Sequence, residues 1–245
     1  MSIQFISVHK TLNGKTVLKD INFNVHSGEI LFILGKSGVG KSVTLKHIVG
    51  LMKPDSGQVL LDTNAVHLMD EKKLIGLRKI CGMVFQHPAL LDSITVYDNI
   101  AFGIKNEPRY KDLAVLEKKI KNSLYEIHLN QNILGKKPYE LSVGIQKRVS
   151  IARAIALDPK YLLFDEPTTG LDPVATHSIN QLILNLTRKL NVTSIVVSHD
   201  IVSALKLADR IIFLHEGEIV FNGTPQEMRK SMVPIIKAFL VEVPQ

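Results

Sequence analysis

The sequence is short of cysteine and of long apolar runs. Cys81 is the single cysteine among 245 residues, so no disulfide can form within the chain, which is typical of a reducing compartment. No apolar run approaches the roughly 18 residues that cross a bilayer, and the N-terminus MSIQFISVHK lacks the basic-then-apolar pattern of a signal peptide. Sustained heptads and internal repeats are missing as well. We therefore expect a cytosolic, globular chain.

The chain has more basic than acidic residues. Its 30 lysines and arginines outnumber 23 aspartates and glutamates, giving a formal net charge of +7. The basic residues are scattered, as at Lys118, Lys119 and Lys121, which lie opposite an apolar row in a helical pattern. This spacing favours a solvated helix face, although a bias towards anionic membrane surfaces or nucleic acid also produces basic chains. Because the charge is not concentrated, we predict no nucleic-acid partner.

Two kinds of β-sheet are predicted. Residues 3–8 and 17–25 alternate apolar and polar side chains around the turn Asn13-Gly14, which predicts an antiparallel edge sheet. Residues 29–34 form a short apolar run, typical of a strand buried on both faces. Similar runs alternate with helical patterns later in the chain, which predicts βαβ units and a parallel sheet. These are strands at 161–164, 194–197 and 210–214, and helices at about 173–190 and 201–208.

We expect a single domain over residues 1–245, with a helical insertion that starts near His87. The segment Pro54 to Gly57 is predicted to be a turn, and Glu216-Gly217 to turn a terminal hairpin. The predicted boundaries are about 1–86 and 158–225 for the β subdomain with the sheet-containing core, about 87–157 for the helical subdomain and about 226–245 for a tail.

The tail contains a short amphipathic piece. Val233, Ile236, Phe239 and Leu240 fall close to one helical face. Such a face either packs on its own domain or seeks a partner surface, and both interpretations stay open.

A glycine-rich turn indicates phosphate binding. GKSGVGKS matches G-x-x-x-x-G-K-[ST] and falls between a buried strand and a helix, which distinguishes it from a plain flexible turn. Lys41 is expected to reach the β and γ phosphates, and the Ser42 hydroxyl to bind Mg²⁺. The candidate nucleotide ligands in this segment are Gly35, Lys36, Ser37, Gly38, Val39, Gly40, Lys41, Ser42 and Val43.

Polar residues that follow other strands are candidates for the chemistry. Asp165 and Glu166 end a buried apolar strand, where Asp165 can hold Mg²⁺ and Glu166 can polarise the attacking water. Helix N-capping is the simpler role for such a pair, but the phosphate loop favours catalysis. His199 follows another strand and can donate a hydrogen bond to a γ-phosphate oxygen. Gln86, after the strand MVF, is a candidate Mg²⁺ ligand and γ-phosphate sensor.

Together these segments resemble one family over nearly the whole chain. GKSGVGKS, Gln86, LSVGIQKR, LLFDEP, TGLDP and His199 occur in the order of the Walker A, Q-loop, signature, Walker B, D-loop and H-switch segments of ATP-binding cassette ATPases. The resemblance implies an α/β fold with a P-loop NTPase core on a mostly parallel sheet, an N-terminal antiparallel β subdomain and an inserted α-helical subdomain. It also implies ATP hydrolysis with Mg²⁺, catalysed by Lys41, Glu166 and His199.

The family's working unit implies partners. Two copies sandwich ATP, so that Ser142 and Gly144 of one signature segment, with Asp172 in TGLDP, reach nucleotide bound by the other copy. Membrane permease subunits bind the region from His87 to Phe102. The resemblance therefore implies a peripheral protein on the cytoplasmic face of the inner membrane.

A narrower resemblance concerns the substrate. GKSGVGKSVTLKHIVGL and FQHPALLDSITVYDNIAF look like ATPases of the Mla-type phospholipid transporters, which work with MCE-domain proteins and small regulatory subunits. Uptake of a small solute is an open alternative. DNA-maintenance ATPases of the same superfamily are a further one, but they carry long coiled coils or zinc inserts, and this sequence has neither.

Two departures from the family pattern stand out. Val143 replaces the first glycine of the signature. If Val143 points away from the nucleotide, the replacement costs little; if the φ at this position is positive in the closed dimer, a β-branched residue is strained there and hydrolysis is slower. On the second alternative, we expect Val143→Gly to raise the rate modestly. Ile145 also departs from the signature. Leu12 occupies the position where the family stacks an aromatic ring on adenine, so the stacking contribution is lost.

Overall fold

The computed structural model describes residues 3–241 and has two β-sheets covered by helices; the two N-terminal residues and the last four residues of the predicted tail lie outside the described part. The strands are β1 (Ile3–Leu12), β2 (Lys15–Val25), β3 (Ile30–Leu34), β4 (Ser56–Leu61), β5 (Asn64–Ala65), β6 (Cys81–Val84), β7 (Tyr161–Asp165), β8 (Thr193–Ser198), β9 (Arg210–His215) and β10 (Glu218–Gly223). The helices are α1 (Lys41–Ile48), α2 (Glu71–Lys79), α3 (Val96–Ala101), α4 (Leu113–Glu126), α5 (Val143–Ile155), α6 (Pro173–Leu190), α7 (Ile201–Leu207), α8 (Pro225–Arg229) and α9 (Pro234–Val241).

The first sheet is antiparallel, with strand order β2-β1-β4-β5. The pair predicted from the first 25 residues is present as β1 and β2, and its strands run longer than predicted. The segment Pro54 to Gly57 differs from the predicted turn, because Ser56 and Gly57 already belong to β4. Gly57 has φ +84, and a Cβ on it would lie 2.1 Å from Ser7 O. Close approach of β1 and β4 therefore requires the glycine that suggested a turn.

The second sheet has the order β10-β9-β3-β8-β7-β6 and is parallel except for the hairpin of β9 with β10. This confirms the predicted, mostly parallel sheet. Its central strands β3, β7 and β8 are buried along their whole length, as their apolar runs indicated. The carboxyl ends of β3, β6, β7 and β8 lie at one edge, where ligands of open α/β sheets bind.

Alternate residues of the parallel strands enter two separate apolar cores. Phe32 and Phe164 point to the core shared with α5 and α6, while Ile33 and Leu163 point to the core shared with α1 and the first sheet. Both faces of the sheet are thus covered, which fixes the register of its strands.

Residues 87–157, all of them described, contain helices and no strand. Thr95 caps α3 by accepting a hydrogen bond from Asp98 N at 3.1 Å. The buried face of α5 includes Val149 and Ile151 and joins the core beneath the parallel sheet. The signature segment at the start of α5 is therefore held by the same core as the strands of the site.

The last helix, α9, packs on its own domain. Ile236 is fully buried, and the Phe239 ring meets the Phe213 ring edge-on with centroids 5.0 Å apart. Of the two interpretations of the apolar tail face, the structure shows intramolecular packing. Within residues 3–241, no helix combines the length and apolar character that crossing a membrane requires.

Candidate nucleotide-binding and active site

The loop between β3 and α1 needs glycine at two positions for steric reasons. A Cβ on Gly35 would lie 2.4 Å from Leu214 O, and one on Gly40 would lie 2.8 Å from Val17 O. Gly40 also has φ +106 and precedes the first residue of α1. The backbone can therefore wrap tightly and present its N–H groups, with the helix N-terminus, to an anion.

Lys41 lies folded into this loop and is 5 % exposed. Its Nζ donates to Gly35 O at 2.8 Å and Lys36 O at 3.0 Å, and lies 3.2 Å from Glu166 Oε1. A buried ammonium is costly unless it is paired. Its contacts with the loop carbonyls and Glu166 satisfy this group within the chain.

Ser42 and Asp165 form the second polar contact across the site. The Ser42 hydroxyl donates to Asp165 Oδ1 at 2.7 Å. Burial raises the pKa of Asp165, the hydrogen bond from Ser42 lowers it, and the charge of Glu166 raises it further. A carboxylate that is costly to ionise here would gain from a cation beside it.

Glu166 is the centre of a third group of contacts. Its Oε2 lies 2.8 Å from His199 Nδ1 and accepts a hydrogen bond from Thr169 Oγ1 at 3.3 Å. The residue has φ +49, a conformation that non-glycine residues adopt rarely and that occurs often at functional sites. Its carboxylate is therefore oriented by neighbours on both sides, as a base requires.

These residues line a cavity of about 840 Å³. Its wall contains Leu12, Val17, Lys36, Ser37, Gly38, Gly40, Lys41, Ser42, Val43, Gln86, Glu166, Thr169, His199 and Phe239. The structure thus brings together most of the residues predicted from sequence. The predicted ligands Gly35 and Val39 belong to the same loop without lining this cavity, and Asp165 lies beside it through Ser42.

Three residues of the wall were not predicted from the sequence as part of the site. Thr169 is the first residue of the segment TGLDP, and its position three residues after Glu166 was the signal for a contact with that carboxylate. Val17 begins the strand predicted at 17–25. Leu12, which lines the same cavity, was predicted to contact adenine and so indicated this part of the wall. Phe239 carries no local signal, because the folding of the tail alone brings it to the loop.

Three predicted ligands lie away from this cavity. Ser142 precedes α5 and is exposed, and its hydroxyl makes no capping hydrogen bond. Gly144 lies in the first turn of the same helix. Asp172 precedes α6 and accepts hydrogen bonds from Val174 N and Ala175 N, each at 2.9 Å. Within one chain, these residues therefore do not complete the site formed by Lys41 and Glu166.

Val143 differs from expectation in its backbone. It is the first residue of α5, is 53 % exposed, and has no positive φ. No left-handed conformation strains its β-branched side chain within one chain, so the predicted strain would require a change of this backbone when the dimer closes.

The donor chemistry of the site fits a magnesium ion. Mg²⁺ prefers hard oxygen ligands and keeps several waters. Ser42 Oγ and Asp165 Oδ1 lie together at 2.7 Å, and Gln86 offers an amide oxygen on the wall of the cavity. These donors are all oxygens, as this cation requires.

Comparison with known proteins agrees with the geometry. The sequence profile of the ABC transporter family matches residues 18–169, more than half of the chain. The chain belongs to this family. Its two sheets and helical segment thus form the ATP-binding and ATP-hydrolysing unit of the ABC family.

Named relatives differ in their substrates. The sulfate/thiosulfate import ATP-binding protein CysA of Pectobacterium atrosepticum is 36% identical over 231 residues, which are 93% of this chain and 68% of CysA. The probable ribonucleotide transport ATP-binding protein mkl of Mycobacterium tuberculosis is 32% identical over 243 residues, covering 98% of this chain and 66% of mkl. The ABC chain described here thus spans about two thirds of the length of these relatives.

A solved structure shares the fold. The ATP-binding cassette MJ0796, a dimer in a post-hydrolysis state bound to ADP and phosphate, superposes with a TM-score of 0.84 and is 33% identical. The match covers 91% of this ABC chain and 98% of MJ0796. It confirms the α/β cassette fold of the ABC chain.

Proposed function

We propose that the chain is the ATPase subunit of a membrane transporter, in which ATP-driven closure of two copies powers a permease. One observation carries this proposal. Lys41, Ser42, Glu166 and His199 meet in one cavity, whereas Ser142 is exposed elsewhere without a capping bond. A second copy whose signature segment covers this cavity would complete the site. The two copies would then be held together by ATP, and would separate after its hydrolysis.

The loop residues bind the phosphates. The backbone N–H groups of the glycine-rich loop and the N-terminus of α1 face the phosphate oxygens, and Lys41 neutralises the β and γ phosphates. When bound, Mg²⁺ supplies charge neutralisation of the phosphates, held by Ser42, Asp165 and Gln86. Leu12 packs on the adenine base without the stacking that an aromatic ring would add.

Glu166 acts as the base. Its carboxylate is paired with Lys41 at 3.2 Å. The phosphates would take over Lys41, and Glu166 would then accept a proton from the attacking water. The water oxygen bonds to the γ-phosphorus, the bond from that phosphorus to the bridging oxygen breaks, and ADP leaves with the electron pair. His199 lies 2.8 Å from Glu166 Oε2 through Nδ1, and would donate a ring N–H to a γ-phosphate oxygen once bound phosphates replace that contact.

The transported substrate and partners follow from resemblance. We place the chain at the cytoplasmic face of the inner membrane, with the permease bound to the helical subdomain between His87 and Phe102. The proposal also includes the division predicted from the sequence, into a β subdomain with the sheet-containing core, a helical subdomain and a tail. Phospholipid is the proposed cargo, with MCE-domain and small regulatory subunits as further partners. The names of CysA and mkl favour a small solute as the second candidate.

Purification from membranes separates the two cargo candidates. We expect the chain to co-purify with a permease, and phospholipid to be enriched over the level carried by an unrelated membrane protein isolated in the same detergent. Recovery of a soluble binding protein for a small anion or nucleotide, without lipid enrichment, would contradict the lipid assignment. It would leave the ATPase assignment untouched.

Glu166→Gln tests the catalytic role. The amide keeps the shape of the side chain but cannot accept the proton, so we expect kcat to fall by about 100- to 10,000-fold with ATP binding retained. The ATP-bound dimer should accumulate, measured by size-exclusion chromatography of the isolated chain with and without ATP. Glu117→Gln is the control, because Glu117 is an exposed partner of Lys121 on α4. Normal turnover of Glu166→Gln would refute the role of this base.

A further inference from the structure

Lys147 is a buried lysine that does not line the nucleotide cavity. It lies on α5 and is 3 % exposed. Its Nζ donates to two backbone carbonyls, Pro167 O and Thr169 O, each at 2.8 Å. Burial lowers the pKa of Lys147, and the charge of Glu166 opposes this shift. A cation is thus held inside the protein by the loop that follows Glu166.

The loop that Lys147 contacts determines the position of the Glu166 carboxylate. Thr169 N donates to Glu166 O at 3.3 Å, and Thr169 Oγ1 donates to Glu166 Oε2 at 3.3 Å. Glu166 itself has φ +49, a conformation that persists only where surrounding contacts impose it. The ammonium group of Lys147 fixes the carbonyls on either side of Thr168, and so restrains this turn.

A buried ammonium is an expensive way to fill space. An apolar side chain of similar volume would avoid the desolvation cost, so packing alone does not account for lysine at this position. What the lysine adds is a donor that reaches two carbonyls at once. Because both carbonyls belong to the turn that starts at Glu166, the benefit falls on that turn.

We propose that Lys147 is a positioning residue for ATP hydrolysis, which holds the turn from Glu166 to Thr169 and thereby the Glu166 carboxylate. The inference rests on the proposed role of Glu166. Ser142 precedes the same helix about 7.5 Å along its axis from Lys147. The helix that presents the signature to the partner copy therefore also holds the base of its own site.

The test compares Lys147→Met and Lys147→Arg in the assembled transporter. Methionine keeps the length and loses the donors, so we expect kcat to fall about tenfold or more, since hydrogen bonds to charged groups contribute that much. KM for ATP should stay within about twofold, because Lys147 lies outside the cavity. Arginine keeps the charge and the donors and should restore most of the rate. Unchanged kcat in Lys147→Met, or a rise in KM alone, would overturn the inference.

Arg78→Met is the matched control. Arg78 is also a partly buried cation that donates to two backbone carbonyls, Val49 O at 3.1 Å and Gly50 O at 3.3 Å, but these lie after α1. Its loss should lower the thermal midpoint and leave kcat within about twofold. An equal fall of kcat in Arg78→Met would mean that any lost anchor slows the enzyme, and would overturn the specific role of Lys147.

A double mutant separates this inference from the role of Glu166. If Lys147 acts through Glu166, adding Lys147→Met to Glu166→Gln should lower the residual rate by less than about twofold. An independent structural effect would instead multiply the two losses and overturn the inference. Normal turnover of Glu166→Gln would refute the role of Glu166 as the base. Normal turnover of Lys147→Met alone would refute only the positioning role of Lys147. If Lys147→Met does not fold, Lys147→Gln, which retains two donors, takes its place with an intermediate kcat expected.

Discussion

The phosphate end of the cavity and the signature segment differ in how far their polar groups are satisfied within one chain. At the phosphate end, Lys41 pairs with Glu166, which also contacts His199, and Ser42 donates to Asp165. At the signature, Ser142 is exposed, with no capping hydrogen bond from its side chain, and Val143 is half exposed. The polar groups of the phosphate end are satisfied within one chain, whereas those of the signature segment are available to a second copy.

The difference follows from burial. Buried charges without partners are costly, so the phosphate end holds its own ions together until a ligand replaces those contacts. The exposed signature has no such cost, since water satisfies it. Substitutions at the phosphate end should therefore change nucleotide binding and stability of one chain, whereas substitutions at the signature should act only in the dimer.

Lys41→Ala should give the largest effect. Removing the ammonium group leaves the β and γ phosphates without their cation, and hydrolysis should fall about a hundredfold or more with weaker ATP binding. The measurements are ATPase rate and binding of a fluorescent ATP analogue to the isolated chain. Lys118→Ala, an exposed lysine on α4, should change neither. Full ATP affinity in Lys41→Ala would remove the distinction between the two regions.

Ser142→Ala sharpens the comparison from the signature side. Because the Ser142 side chain caps nothing in its own chain, its loss should leave thermal stability and ATP affinity of the isolated chain unchanged. Turnover of the assembled transporter should fall about tenfold, the effect of one charge-assisted hydrogen bond to the γ-phosphate.

Asp172→Ala should differ from Ser142→Ala. Asp172 accepts two backbone hydrogen bonds at the start of α6, so its loss should destabilise the chain by about 1 kcal/mol. Thermal unfolding of both variants measures this contrast. Equal loss of stability in the two would show that Ser142 has a structural role within its own chain.

Much of the fold could be predicted because the central strands are buried on both faces. β3, β7 and β8 read as continuous apolar runs, and helix α6 has the predicted bounds. β4 was missed because Gly57 lies where two strands approach too closely for a Cβ. α2 was missed because Leu74 and Leu77 are its only buried residues, too few for a periodic pattern.

The site was predictable where motifs lie at strand ends, and not where folding brings distant segments together. The phosphate loop, Glu166 and His199 follow strands, Asp165 ends β7, and the spacing of these segments carries the information. Phe239 reaches the cavity only because α9 folds back onto β9. Lys147 lay within the signature segment, but the carbonyls that it contacts follow it by about twenty residues.

Asp165→Asn tests how much stability the chain loses by burying the charge of Asp165 at the phosphate end. Burial raises the pKa of Asp165 above its ordinary value of 3.8, so the folded chain binds its proton more tightly than the unfolded chain. Stability conferred by the neutral form is present at low pH and is lost as pH rises through the shifted pKa. At pH 7 the nucleotide-free Asn variant, which retains an acceptor for Ser42, should therefore have the higher thermal midpoint.

The pH dependence identifies the cause of that gain. The difference between Asp165→Asn and the parent chain should shrink towards zero below pH 4, where both carry a neutral side chain. Asp92→Asn, at an exposed position, should show no difference at either pH. A lower midpoint for Asp165→Asn at pH 7 would mean that the charge of Asp165 stabilises the nucleotide-free site.

Val143→Gly should give the smallest effect. The sequence suggested strain in the closed dimer that glycine would relieve, but in the single chain Val143 is helical, has no positive φ and is about half exposed. Glycine then removes no strain and adds flexibility to the first turn of α5, which costs at most about 1 kcal/mol in a helix interior and less at its end. We expect unchanged ATP affinity, turnover within about threefold of the parent, and a slightly lower thermal midpoint.

Val174→Gly is the matched control for stability, because Val174 is an exposed valine in the first turn of α6. The two variants should lose similar stability if Val143 has no special contact. A several-fold gain in turnover for Val143→Gly alone would mean that the backbone at position 143 changes when the dimer closes. Val143 would then be strained only while it contacts the nucleotide bound by the partner copy. A changed ATP affinity in the isolated chain would place Val143 at its own cavity, and would contradict the separation between the two regions.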